Sequence, residues 1–541
     1  MRQSRRQTLA QSNSGSAIAD AGSIATDVCL IVEGCYPYVP GGVSAWIDWL
    51  MRGRPDTTFS IVALWPRPTG QPPHYQLPPN VKSLHHVYLQ DFGAKPMNSA
   101  RPPADIGVLA DALQQFLSHG GLTALQDVQQ ALGFARQRMP IEALYNSPVA
   151  WEIVQRMYAD VMPNSSFLHF FWAWRALLGG FLATLEFKLP PARVYHTIST
   201  GYAGVLAARA AVETGRPALL TEHGIYTNER RIELLMADWV ADTVDKGHDL
   251  DDTRLDLRDM WINAFEAYAR TCYEACTEVV TLFEDNQRAQ RMLGAPEATL
   301  RVIANGIDLE RFAGLAQAAD DARPTVAMIG RVVPIKDVKS FITSVSLLRA
   351  RVPNLRALIL GPTDEDKQYH AECVAQVAAM GLDGCVEFTG GVNITQYMPD
   401  IHVVALTSLS ESQPLVLLEA GAAGIPFVAT NVGSCREIIE GRSDEVPNLG
   451  IGGIVVDLVS PEQTADALAV LLQDAGKRRV YGAALKARVT RYYSSESAAN
   501  AYTELYADLI ARPSAVPRPK TGARPVARVG ANAPVQTSGT R

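Results

Sequence analysis

Two glutamates eight positions apart, Glu411 and Glu419, bracket a proline and an apolar stretch in Ser410-Glu411-Ser412-Gln413-Pro414-Leu415-Val416-Leu417-Leu418-Glu419-Ala420. The apolar run Val403 to Thr407 just upstream reads as a buried strand. Pro414 suits the first turn of a helix, where its missing N–H has no intrahelical acceptor to lose. Glu411 therefore falls in the loop at a strand's C-terminal end, and Glu419 lies about one and a half turns into the following helix. Free N–H groups near Leu415 and Val416, together with the helix dipole, favour a phosphate there. One carboxylate before the helix and one within it could hold hydroxyls on either side of a diphosphate. Two surface acids on a helix start would show the same spacing, so the residues alone leave both readings open.

Three other segments place reactive groups after strand-like runs. Gly330-Arg331-Val332-Val333-Pro334-Ile335-Lys336-Asp337 follows Thr325 to Ile329, and Arg331 with Lys336 at a sheet edge makes either an anion site or a solvated loop. Glu33-Gly34-Cys35-Tyr36-Pro37-Tyr38-Val39-Pro40-Gly41-Gly42-Val43-Ser44 follows Asp27 to Val32. Its paired glycines, Gly41 and Gly42, let backbone approach a ligand or simply make a tight turn. G-x-G-x-x-G is absent from it, so a nicotinamide fingerprint is not supported. Thr221-Glu222-His223-Gly224-Ile225-Tyr226 offers His223, a hydrogen-bond donor, proton carrier or structural ring.

The elements that must position these groups alternate along the chain. Strand-like runs at 27–32, 60–64, 194–197, 218–221, 279–281 and 300–303 form one series, and those at 325–329, 357–360, 386–389, 403–407, 427–430 and 453–456 a second. Helical stretches separate most of them, which predicts parallel sheets with helices on both faces. The series breaks at 309–324, around Gly314 and Pro324. The expected class is α/β, with two Rossmann-like domains facing a central cleft and ligands at the strands' C-terminal edge. Expected boundaries are a disordered N-terminus at 1–26, a first domain at 27–315 and a second at 316–485. A crossover helix at 486–511 and a disordered basic tail at 512–541 follow. Residues 66–180 and 230–272 are expected to be mostly helical insertions, with the aromatic crowd Phe167 to Trp174 packed in the core.

Composition narrows the class. The chain has 541 residues, 49 Lys+Arg against 56 Asp+Glu, a net charge of -7 and 47% hydrophobic residues. These values fit a globular protein of two large domains or about three smaller ones. Mild acidity argues against nucleic acid as a partner, and no run of 18 or more apolar residues is evident. The start, with Arg2, Arg5 and Arg6, lacks a signal peptide's apolar region, and a cytoplasmic location is expected. The seven cysteines are expected to be reduced thiols, because Cys272 and Cys276 have no nearby pair with which to hold zinc. The tail from Arg512 carries six basic and no acidic residues. It is either a solvated tail or a weak tether to an anionic membrane or acidic partner.

Taken together, these segments resemble the retaining family 4 glycosyltransferases of the GT-B fold. Glu411 and Glu419 fit that family's E-x7-E motif. Arg331 with Lys336, Asn305-Gly306-Ile307-Asp308, Gly41-Gly42-Val43 and Gly424-Ile425-Pro426-Phe427-Val428-Ala429-Thr430-Asn431-Val432-Gly433 are similar to its other signatures. The Glu33 to Ser44 and Thr221 to Tyr226 segments look like its PelF-like branch, the cytosolic enzymes of Pel exopolysaccharide synthesis. The resemblance covers about residues 27 to 510. Ser412-Gln413 stands where many family 4 members have Gly and a small residue.

The resemblance implies a UDP-sugar donor, no metal or other cofactor, and a polysaccharide or lipid-linked acceptor. An inner-membrane synthesis and export complex is an implied partner. Arg331 and Lys336 would neutralise the diphosphate and Glu419 would hold the ribose. Glu411 would contact the sugar and His223 would lie by the reacting centre, making His223, Glu411, Arg331 and Lys336 the catalytic set. Gly42, with Gly41, would let backbone reach the phosphates. Leu415 and Val416 would meet the same group, while Gly361, Val392 and Ile394 would flank the base. A metal-dependent D-x-D is spelled by Asp249-Leu250-Asp251, but in an acidic polar stretch without a preceding strand. A GT-B nucleotide-sugar epimerase and an inactive nucleotide-sugar-binding regulator are the alternatives.

Overall fold

A computed structural model describes residues 25–68, 70–90, 106–137, 143–163, 166–236 and 256–514. The N-terminal stretch, almost all of the basic tail and Asp249-Leu250-Asp251 lie outside the described residues. Seven parallel strands form the first sheet: β1 (Thr26–Glu33), β2 (Phe59–Trp65), β3 (Val81–Tyr88), β4 (Ala192–Thr197), β5 (Ala218–Glu222), β6 (Glu278–Thr281) and β7 (Leu300–Val302). Their order is β3-β2-β1-β4-β5-β6-β7. Six more form the second sheet: β8 (Thr325–Ile329), β9 (Arg356–Leu360), β10 (Val386–Gly390), β11 (Val403–Leu406), β12 (Phe427–Thr430) and β13 (Gly453–Val456). Their order is β10-β9-β8-β11-β12-β13, again all parallel. Val28 to Val32 and Val403 to Leu406 are buried, because helices cover both faces of a parallel sheet.

Helix Gly42–Arg52 follows β1 and buries Trp46, Ile47, Leu50 and Met51 against the first sheet. Helix Leu415–Ala422 follows β11 and buries Leu417, Leu418, Ala420 and Gly421. Its Gly421 is needed for close packing, since a Cβ there would come within 2.7 Å of Val489 Cγ2.

Two chain passages join the units side by side. Ile307 pairs with Ser494 as an isolated parallel bridge, with Ile307 N–H donating to Tyr493 O (3.0 Å) and Ser495 N–H to Ile307 O (2.9 Å). Gly306 permits this contact, because a Cβ would lie 2.2 Å from Ser494 O. The returning helix is Ser495–Ala511, whose Tyr502, Leu505, Tyr506 and Leu509 join the first unit's core. Tyr506 OH lies 2.7 Å from His196 Nδ1, and Tyr502 OH lies 3.1 Å from Thr221 Oγ1. Residues 486–492 belong to the preceding helix Ala475–Tyr492, whose Leu485 and Val489 pack in the second unit. The crossing therefore falls at 493–495, later than the expected 486.

Three expectations are modified. Besides its helices, the stretch 66–180 holds β3, a half-buried edge strand outside the expected strand series. The aromatic crowd is only partly core. Phe170 and Trp174 are buried, whereas Leu168 and Trp172 are 61% and 59% exposed. Helix Phe167–Glu186 is long and apolar enough by composition to cross a membrane, although its sequence holds no unbroken run of 18 apolar residues. Its buried face, from Phe170 to Leu185, packs in the first unit's core.

Candidate functional site

The C-terminal edge of the second sheet gathers most of the candidate residues. After β8 the chain turns through Gly330 to Asp337 and enters helix Val338–Arg349, where Asp337 accepts a capping bond from Ser340 N–H (3.3 Å). Thr407 Oγ1 donates to Asp337 O (2.9 Å) and Leu409 N–H to Ile335 O (2.9 Å), tying this turn to the end of β11. Lys336 Nζ thereby lies 2.5 Å from Glu411 Oε1, and Ser408 Oγ donates to the same oxygen at 2.6 Å. The pair is largely out of water, with side-chain exposures of 19% and 12%.

Arg331 takes another direction. Its Nη1 donates to both oxygens of Glu365 (2.6 and 2.9 Å), with both side chains half exposed. The structure thus brings Lys336, but not Arg331, onto Glu411. An exposed pair of this kind contributes little to stability.

Pro414 caps helix Leu415–Ala422 from the position just before it, with extended backbone (φ -70°, ψ 113°), rather than sitting inside the first turn. Leu417 N–H reaches Pro414 O (3.0 Å). The N–H groups of Leu415 and Val416 precede any intrahelical acceptor. Leu415 is exposed, and Val416 is half-buried against the unit's core. Glu419 is held by burial above the ordinary carboxylate range, with Arg311 opposing the shift.

The neighbouring strand ends complete the edge. Gly361 ends β9 against the turn after β8, where a Cβ would lie 1.9 Å from Gly330 O. Val392 and Ile394 follow β10 and are half-buried on the same core. The strand order β10-β9-β8-β11 therefore sets Val392 and Ile394, Gly361, Lys336 and Glu411 in sequence along one edge. Gly433, with φ 51°, lets the turn after β12 approach the glutamate loop: its Cβ would lie 2.1 Å from Ser412 O, and Ser434 N–H donates to that oxygen at 2.8 Å. Sequence reading gave no role to Ser408, Ser412 or Ser434, and treated Gly433 only as part of a motif.

Across the cleft, His223 lies in the turn after β5. Trp46 packs edge-on against its ring at 4.6 Å. Its Nε2 is sealed from solvent and has no partner among the described residues. Burial pushes its pKa down to about 4, so the imidazole is neutral near pH 7. Ser412 Oγ donates to the carbonyl of His223, joining the two units. Gln413 Oε1 accepts from Asn305 N–H (2.7 Å) in the linker. The acids quoted with these motifs are internal anchors. Glu222 accepts from Tyr226 N–H (3.1 Å), Tyr273 OH (2.8 Å) and Gln290 Nε2 (3.0 Å), and burial pushes it up to about 7. Glu33 accepts from Ala203 N–H (3.1 Å), Tyr226 OH (3.0 Å) and Ser199 Oγ (3.4 Å). Gly41 and Gly42 are exposed at the start of helix Gly42–Arg52, with open space where a Cβ would stand and no side-chain cap.

Among the described residues, no group of three or more His, Cys, Asp or Glu is arranged to hold a metal ion. The seven cysteines are free, and Cys272 and Cys276 lie Sγ to Sγ at 3.9 Å in the core.

Two parallel-sheet Rossmann-like units with helices on both faces, joined by a double crossing, define the GT-B fold class. Residues 26–298 match the family model described as "Domain of unknown function (DUF3492)", and the chain belongs to that family. Residues 323–474 match the model "Glycosyl transferases group 1". A D-inositol 3-phosphate glycosyltransferase of Kribbella flavida is 32% identical over 228 residues, 39% of this chain and 49% of that protein. A GDP-mannose-dependent alpha-(1-6)-phosphatidylinositol monomannoside mannosyltransferase of Mycobacterium tuberculosis is 30% identical over 236 residues, 40% of this chain and 57% of that protein. The chain thus matches only about half the length of these curated relatives. Among solved structures, Anabaena HepE in complex with UDP superposes with a TM-score of 0.52 at 14% identity, covering 89% of this chain and 100% of that one. Sucrose-phosphate synthase from Thermosynechococcus elongatus gives 0.52 at 15% identity, covering 90% and 99%. At these identities the likeness concerns the fold.

Proposed function

We propose that the chain is a retaining glycosyltransferase that transfers a hexosyl unit from a UDP-sugar to a growing exopolysaccharide, as in the PelF-like branch, and that it works in the cytosol at the inner membrane. The observation that carries this reading is the Lys336–Glu411 pair beside the start of helix Leu415–Ala422, with Glu419 inside that helix. Cations and free N–H groups there suit a diphosphate, and the two carboxylates suit hydroxyls on either side. In the reaction, the bond from the sugar's anomeric carbon to the diphosphate oxygen breaks and a bond to an acceptor hydroxyl forms on the same face. The acceptor's proton passes to the leaving phosphate. Lys336 and Arg331 stabilise the charge that develops there, and neutral His223 donates a hydrogen bond at the sugar.

Fixed cations take the part that a divalent ion plays elsewhere, so transfer proceeds without metal. EDTA that abolishes turnover, with rescue by Mn, would overturn this point. Incubation with UDP-sugars and acceptor, scored for UDP release and for the product's anomeric configuration by NMR, tests the whole reading. Interconversion of the free sugar nucleotide would indicate an epimerase, and binding without turnover a regulator. One observation favours a second donor: the mycobacterial relative is named as GDP-mannose-dependent. Parallel titrations with UDP and GDP separate the two.

A further inference from the structure

We propose that Ser412 is a positioning residue whose hydroxyl, bonded across the cleft to the carbonyl of His223, sets His223 against the loop that carries Glu411 and Lys336. The inference rests on the donor-site reading above and adds to it a residue that none of the motifs assigned.

Ser412 stands on a loop fixed from several sides. Its carbonyl accepts Ser434 N–H at 2.8 Å, and Gly433 leaves room for that approach. The preceding Glu411 is pinned by Lys336 and Ser408. The following Gln413 is 7% exposed, and its Oε1 accepts Asn305 N–H at 2.7 Å. One dipeptide thus grips both the first unit's His223 turn and the linker between the units. The His223 turn is fixed in turn by the Glu222 network behind it and by Trp46 at its ring. Between these anchors the Ser412–His223 bond is the direct tie from the donor loop to His223.

The ring itself is unsatisfied. Nε2 is buried and has no partner among the described residues. Rotation of the units about the crossing at 306–307 and 493–495 would part Ser412 from His223. The bond joins the two units where His223 and the donor loop meet. A second bridge, Ser443 Oγ to Glu284 Oε2 at 2.6 Å with Glu284 N–H to Glu437 Oε2 at 3.3 Å, also spans the units. Loss of Ser412 should accordingly loosen the His223 turn locally and leave the units together.

The test compares wild type, Ser412→Ala and Ser412→Thr, the last retaining the hydroxyl. Amide hydrogen exchange of residues 223–230 without nucleotide should quicken roughly fivefold in Ser412→Ala, the loss of one ordinary hydrogen bond, and stay near wild type in Ser412→Thr. UDP affinity should remain within about twofold in both variants, because neither Ser412 nor His223 holds the diphosphate in this reading. Among UDP-glucose, UDP-N-acetylglucosamine and UDP-N-acetylgalactosamine, the donor giving the fastest UDP release serves for kinetics. Its kcat should fall about fivefold in Ser412→Ala at unchanged KM and recover in Ser412→Thr. Exchange equal to wild type in Ser412→Ala overturns the proposal, as does an unchanged kcat or a Thr variant that behaves like Ala. If wild type fails to bind UDP, the donor-site reading falls, and the exchange comparison still decides whether the contact holds His223.

Discussion

Lys336 Nζ and Glu411 Oε1 lie 2.5 Å apart, although 75 residues separate them in the chain, and both side chains are largely withdrawn from water. The lysine proposed to hold a diphosphate is therefore occupied by the carboxylate proposed to hold the sugar. A bound diphosphate must compete for that ammonium, or share it.

This competition gives Glu411→Gln an unusual signature. Removing the charge releases Lys336 and removes a repulsive neighbour of the phosphates. UDP affinity should hold or tighten by up to about tenfold, while kcat for transfer falls at least tenfold because the sugar loses its partner. Calorimetry and steady-state kinetics on one preparation check both. UDP binding weakened tenfold would place Glu411 on the nucleotide instead.

Glu419 should read the ribose. Glu419→Gln should weaken UDP and erase most of the preference for UDP over 2′-deoxy-UDP, a difference of roughly tenfold for one hydrogen bond to a charged group. Burial raises the carboxyl's pKa, so in wild type the ribose preference should fade on acidification while pH is still above the ordinary carboxylate range. A variant that keeps wild-type discrimination would show that Glu419 faces something else.

His223→Ala should lower kcat more than it raises KM, since a bond strengthened at the reacting centre acts on the transition state. Because burial pushes the ring's pKa down to about 4, the pH–rate profile should show no inflection from it between pH 6 and 8. Equal kcat with altered KM would reduce the ring to a ground-state contact.

Glu222 predicts a pH effect on stability. Burial pushes its folded pKa up to about 7, above the ordinary 4.5 of a free carboxyl, so the folded state holds this proton more tightly than the unfolded chain. The resulting stabilisation is complete below about pH 4.5 and is lost as pH rises through 7, by on the order of 1–3 kcal/mol. Glu222→Gln should remove that loss, with the Gln290 amide turned to present its unpartnered oxygen. The Tm of the variant relative to wild type should rise between pH 5 and 8. A constant difference would mean that Glu222 titrates normally.

The two sheets were legible because their strands are buried on both faces and appear as short apolar runs, Val28 to Val32 and Val403 to Leu406 among them. β3 was missed because an edge strand reading Lys82-Ser83-Leu84-His85-His86 carries no such run. The candidate groups were legible because each follows a strand. What spacing could not show is which cation meets Glu411, since Arg331 and Lys336 share one turn and only its fold directs Lys336 inward. The buried state of Glu222 was equally hidden, for Tyr273 and Gln290 are 51 and 68 residues further on. Ser412 looked like a departure from a motif, and its partner His223 is 189 residues away.

The donor-site assignment is tested most directly by calorimetric titration of UDP into wild type, Lys336→Ala and Arg331→Ala. A hydrogen bond to a charged group is worth roughly 1.5–3 kcal/mol. Wild type should bind UDP, and Lys336→Ala should bind it about tenfold or more weakly with the fold intact. Arg331→Ala should also weaken UDP, since a bound diphosphate offers Arg331 a stronger partner than exposed Glu365. Absence of UDP binding to wild type, or affinity unchanged in both variants, would contradict the account.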